Sequence, residues 1–119
     1  MTHFKVDIQL PLNYNPEDGN TKGEDIPAEI FLVTYEDLLA IGGGINTTNV
    51  PIIGSWIHPE SKKRYNDKSV VYTVIISSED KMTVKNVPKI RELIEYKEKL
   101  KERFKQEEIF IVATRCNWL

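Results

Sequence analysis

Strand, helix, strand, strand, helix and strand patterns follow one another along the 119 residues, and that order predicts an α+β fold. The expected domain is ferredoxin-like βαββαβ, a four-stranded antiparallel sheet with two helices on one face. Two observations carry the prediction. Phe4, Val6, Ile8 and Leu10 alternate with Lys5, Asp7 and Gln9, the period-two signature of a strand half-buried against helices. Val70-Val71-Tyr72-Thr73-Val74-Ile75-Ile76 and Ile109-Phe110-Ile111-Val112-Ala113 are instead apolar on both alternating faces. Helices on one side need only every second side chain, so the extra apolar set calls for a second cover, and in a small α+β chain that cover is often another subunit.

Phe4 to Leu10 is the first strand. From Pro11 to Gly23, the turn formers Asn13, Asn15, Pro16, Asp18, Gly19 and Asn20 predict a surface loop. Asp25 followed by Pro27 starts a helix, because a carboxylate accepts the free amides of the first turn and proline tolerates an early helical position. Ile30, Phe31, Thr34, Leu38 and Ile41 keep helical spacing, and Gly42-Gly43-Gly44 supplies the left-handed conformation that closes the helix. Ile45 to Ile57 reads as one strand, placed at an edge because Pro51 lacks an amide proton and Gly54 weakens the ladder. His58 to Arg64 is a loop leading into the third strand at Tyr65.

Pro88 opens a long helix along which Ile90, Leu93, Ile94, Lys97, Leu100 and Phe104 follow the period, the Lys97 stem lying on the buried edge. Ile109 to Thr114 is the last strand, before Asn117-Trp118-Leu119. In the expected topology the first and third strands are central, and the bare face carries Lys5, Asp7 and Gln9. The pattern leaves open whether Val70, Tyr72, Val74 and Ile76 or Val71, Thr73 and Ile75 share that face.

Hydrophobic residues at 40% and charged residues at 29% are ordinary globular values, so residues 1–119 read as a single domain that stands without a metal or disulfide. A net charge of -2 provides no basic field for a phosphate backbone. Cys116 is the single cysteine, and no stretch has the order of a signal peptide or the length of a membrane span. A reducing cytoplasm is the expected setting.

The triple glycine follows a helix, precedes a strand and lacks the lysine of a phosphate-cradling loop, which makes it a helix cap. His3, His58 and Cys116 sit on separate elements without zinc-site spacing, so neither a metal nor a cofactor is expected. Asp7 is a carboxylate on a partly apolar sheet face, which suits either a base of raised pKa or an ion pair with Lys5. Trp56, Tyr65, Asp67 and Tyr72, with His58 at the hairpin, combine aromatic and polar groups as the mouth of a small-ligand pocket does, or a subunit interface. Lys62, Lys63 and Arg64 form a short basic run beside these aromatics, a candidate single-strand nucleic-acid contact. The third strand lacks the glycine-aromatic pattern of an RNA-recognition module.

The run from Gly43 through Gly54-Ser55-Trp56 and Tyr65-Asn66-Asp67 to Phe104-Lys105-Gln106-Glu107 resembles a pattern in small uncharacterised microbial proteins. There, paired glycines end a helix, Gly-x-Trp follows in a strand and Phe-x-Gln-Glu closes the last helix. The resemblance implies the ferredoxin-like fold and transfers no catalytic residue; the third glycine and Ile45 depart from the pattern.

The resulting expectation is a homodimer whose bare sheet faces pack together as in dimeric α+β barrels. It would serve as a binding or regulatory module with a small ligand held near Asp7, Trp56, His58, Tyr65 and Tyr72. One rival is an enzyme with Asp7 or His58 as proton acceptor and Tyr65 as donor. The other is a single-stranded nucleic-acid binder using Lys62, Lys63 and Arg64.

Overall fold

Alternation along the first strand decides which way the sheet faces. In the computed structural model, which describes residues 1–15, 23–48, 50–79 and 82–119, β1 (Thr2–Pro11) buries Phe4, Val6, Ile8 and Leu10 and turns Lys5, Asp7 and Gln9 to the other side. Antiparallel partners flank it, β4 (Arg64–Ser78) on one side and β5 (Phe110–Cys116) on the other. Two shorter strands, β2 (Asn46–Thr47) and β3 (Ile52–Ile57), both pair with β4. The expected four strands are therefore five among the described residues, because the predicted strand from Ile45 to Ile57 is broken. Pro51 stands in the break, where its missing amide proton removes a ladder bond.

The helices cover the buried side. Helix α1 (Ala28–Gly42) buries Thr34 and Leu38, and α2 (Pro88–Arg103) buries Ile90, Leu93, Tyr96 and Leu100. Leu38, Ile90, Leu93, Tyr96 and Leu100 join Tyr72, Val74 and Ile76 of β4 and the inward row of β1 in one core. The open choice on β4 is thereby decided, since Val71, Thr73 and Ile75 look away from the helices. Aromatic edges lock the layers: Phe31 meets Phe104 at 5.3 Å and 71°, and Tyr35 meets Tyr72 at 6.0 Å and 88°.

The start of α1 differs in detail from expectation, whereas α2 opens at Pro88 as expected. The N-cap position of α1 belongs to Pro27, which has no capping side chain, and the Asp25 carboxylate accepts a hydrogen bond from Asn13 Nδ2 at 2.6 Å. That contact, with a backbone bridge between the same two residues, ties the base of the predicted loop; its residues 16–22 lie outside the described residues. Gly43 closes α1 as expected, with φ 78° and its N–H donating to the Leu39 carbonyl at 2.8 Å. On α2 the buried stripe runs through Tyr96, so Ile94, expected inside, is 47% exposed. Lys97 keeps its stem at the helix edge and reaches Glu108 at 2.6 Å.

A feature absent from the expected topology is the length of β4. Only its part from Ser69 onward pairs with β1, while Arg64 to Lys68 pair with β3 and leave the sheet as a two-stranded arm. The turn at His58 to Lys63 is the tip of this arm, in a molecule whose longest extent is 48 Å. Among the described residues, no helix is long and apolar enough to cross a membrane.

Candidate ligand-binding site

Residues opposite one another in a ladder share a face, so the register maps the helix-free side directly. Phe110, Gln9 and Val71 form one row across it, Val112, Asp7 and Thr73 the next, and Cys116, His3 and Ser77 close its far end. Toward the other end, Ser69 and Ile52 lead into the arm, where Gly54 faces Asp67 and Trp56 faces Tyr65. Trp56 and Tyr65 stack, with centroids 4.7 Å apart and planes 18° from parallel. Gly54 leaves room for the carboxylate beside it, since a Cβ there would lie 3.1 Å from Asp67 Oδ1.

Where the arm leaves the sheet there is a cavity of about 210 Å³. The hairpin contributes Trp56, Asp67 and Ser69, β1 contributes Gln9 and Pro11, and the approach to β5 contributes Gln106, Glu108, Ile109 and Phe110. Indole and phenyl groups supply flat apolar walls, and amides and carboxylates supply polar anchors. Gln9 Nε2 donates to Ser69 Oγ at 2.8 Å, and Gln106 Nε2 donates to the Phe104 carbonyl at 3.1 Å, which fixes both amides. The Lys97 ammonium at 2.6 Å, then the Ile109 N–H at 3.0 Å, hold the Glu108 carboxyl below its ordinary value of 4.5. Among the described residues no lysine or arginine lines the cavity, which holds the carboxylates of Asp67 and of Glu108, the latter with Lys97 behind it.

The residues singled out from the sequence separate into four places. Trp56, Tyr65 and Asp67 meet on the arm, two of them in the cavity wall. Asp7 lies on the same face farther along, where Thr73 Oγ1 donates to its Oδ1 at 2.6 Å and Lys5 Nζ stands 3.8 Å from its Oδ2. His58 sits in the turn, its Nδ1 accepting the N–H groups of Glu60 and Ser61 at 3.2 Å, which makes it a loop-closing group. Tyr72 is on the opposite side of the sheet: it is 6% exposed and its hydroxyl donates to the Phe31 carbonyl at 3.4 Å. Burial, and then Tyr35, push that phenol above its ordinary value of 10.0. A strand apolar on both faces gave no indication of which row Tyr72 would join.

Lys62, Lys63 and Arg64 are exposed at the arm tip, and Lys62 has a φ of 60° in the turn. Sequence reasoning overlooked Gln9, Gln106, Glu108 and Phe110 as site residues. The Phe-x-Gln-Glu run marked their neighbourhood, but only the pairing of β1 with β5 brings it to Gln9. Among the described residues, no three His, Cys, Asp or Glu side chains gather as a metal site would require. A second, open groove of about 520 Å³ runs beside α1, lined by Ala28, Glu29, Phe31, Leu32, Tyr35 and Tyr72.

No family model and no curated protein matches the chain. Among solved structures it is similar to a phage SAM lyase in complex with S-methyl-5'-thioadenosine, with a TM-score of 0.53 and 19% identity over 98% of this chain and 92% of that one. It is also similar to the B. subtilis GlnK–ATP complex, with a TM-score of 0.47 and 14% identity over 95% and 82% of the two chains. Likeness at this identity extends to the α+β fold, with its antiparallel sheet and two helices.

Proposed function

We propose that the chain is a ferredoxin-like, cytoplasmic small-ligand module that self-associates as a homodimer across its helix-free sheet face. In this reading the cavity beside the arm takes a heteroaromatic ligand without phosphate, of the nucleoside class. The observation that carries it is the lining: Trp56 and Phe110 offer flat apolar surface, Asp67 and Glu108 accept hydrogen bonds from hydroxyl or amino groups, and among the described residues no lysine or arginine lines it to meet a phosphate. The thionucleoside held by the phage lyase is of that uncharged kind, which makes it the natural first probe. At about 210 Å³ the cavity is smaller than the roughly 300 Å³ at which small-molecule sites usually begin, which fits a site finished by a second chain over the same face.

Calorimetric titration with S-methyl-5'-thioadenosine and with ATP tests the reading. The expected outcome is binding of the former and not of the latter, with Trp56→Ala weakening it about tenfold by loss of the ring wall. Equal binding by Trp56→Ala, or a preference for ATP, would overturn the assignment.

A further inference from the structure

The arm has a second face that none of the described residues covers. Opposite the Trp56 and Asp67 side, Ile53 pairs with Lys68, Ser55 with Asn66 and Ile57 with Arg64. Ile53 is 76% and Ile57 64% exposed, an unusual state for two isoleucines in one short strand. The Arg64 guanidinium is held on this face, its Nε donating to Asn66 Oδ1 and its Nη2 to Ser55 Oγ, each at 3.2 Å. Isoleucines, the held guanidinium of Arg64 and the ladder position of Lys68 therefore share one face of the arm, and none of the six residues on it is a carboxylate.

Helix α1 is its chemical complement. Leu32 is 63% exposed on α1 and Val33 is also exposed, and the helix holds Glu29, Glu36 and Asp37 without one lysine or arginine. The groove of about 520 Å³ runs along this surface, with Phe31, Leu32 and Tyr35 as apolar lining and Glu29 at its edge. Ile53 and Ile57 do not reach it within their own chain, since both are open to water.

We propose that the arm of one copy docks into the α1 groove of a second copy. Ile53 and Ile57 enter against Phe31, Leu32 and Tyr35, and Arg64 and Lys68 meet Glu29 and Glu36. Two arms and two grooves satisfy one another reciprocally, so the contact closes on a twofold axis. It uses neither the helix-free sheet face nor the ligand cavity, and stands apart from both.

Two preparations in a Cys116→Ser background, one carrying Ile57→Cys and the other Leu32→Cys on a chain of different tag length, are mixed and treated with a short bismaleimide. The expected product joins one chain of each kind. Absence of that product overturns the proposal, as does a double-cysteine chain that crosslinks only within itself. Charge reversal supplies the second reading: Arg64→Glu and Glu29→Lys each weaken self-association about tenfold in light-scattering dilution series, and the double variant recovers most of the loss. Single variants that associate like the parent chain refute the contact. Binding of S-methyl-5'-thioadenosine, measured on the same variants, reports on the cavity separately, so failure of one assignment is distinguishable from failure of the other.

Discussion

Tyr96 stands between a carboxylate and a guanidinium. Its hydroxyl donates to Asp37 Oδ2 at 2.7 Å and accepts from Arg103 Nη1 at 2.8 Å, while the same Nη1 lies 3.2 Å from Asp37 Oδ2 and 3.1 Å from Thr34 Oγ1. The four groups tie α1 to α2. Burial first, and the bond to Asp37 second, push the Tyr96 phenol up to about 12, whereas its ordinary value is 10.0. A folded chain that holds its proton longer than the unfolded chain loses stability as pH rises through that interval. Tyr96→Phe should therefore flatten the alkaline limb of a urea-midpoint profile between pH 10.0 and about 12. At neutral pH it should cost about 1–2 kcal/mol, since Asp37 and Arg103 each lose a partner.

Asp37 moves the opposite way, held below its ordinary 3.8 chiefly by the Tyr96 hydrogen bond and further by Arg103. Its contribution is present above pH 3.8 and is lost as pH falls through the lower folded value, so Asp37→Asn should weaken the acid dependence of stability below that point. Neither effect was legible in the sequence, where Tyr96 fell outside the apolar row assigned to the helix. Trp56 and Tyr65 were legible as a pair because a short hairpin brings its own residues together. Glu108 was not, because its place in the cavity depends on strand pairing across the whole chain.

At the scale of elements, the end of α1 places two separate demands on the backbone. Gly42 lies so close to β4 that a Cβ would sit 3.0 Å from that of Val74, and Gly43 takes a φ of 78° with open space around it. Gly43→Ala should cost about 1 kcal/mol from backbone strain, and Gly43→Asn less, because asparagine tolerates the left-handed region. Thermal melting of the two variants provides the comparison. This cap could be read from Gly42-Gly43-Gly44, since few residues other than glycine close a helix in that way. The split of the edge strand was half legible: Pro51 marked a weakness, but the departure of β3 into an arm reflects how far β4 outruns β1. Nothing local in Tyr65 to Lys68 distinguishes a strand inside a sheet from one that has left it.

Among the described residues, the sheet has one side covered by helices and the other bare. Phe110 and Val112 are 64% and 54% exposed beside the half-buried Val71 and Ile75, and charged Lys5 and Asp7 divide the apolar area. A stable pairing of such faces buries about 1,000 Å² or more in total, with an apolar centre. Val112→Asp places a carboxylate in that centre and next to Asp7, so it should abolish the face-to-face contact. Light scattering that gives Val112→Asp and the parent chain the same mass at high micromolar concentration would remove this assembly. The bare side was legible because two strands are apolar on both faces. Its occupant was not, because alternation reports burial and carries no record of what does the burying.

The double pairing of β1 has a consequence for how the molecule opens. Its backbone is bonded to β4 on one side and β5 on the other, whereas β3 is bonded to β4 alone among the described strands. Amide protons along β3 should therefore trade with deuterium through partial openings that leave the core intact, and those of Val6 and Ile8 only when the entire chain unravels. An arm that detaches and reseats on its own timescale would open the cavity beside it without asking the rest of the fold to move.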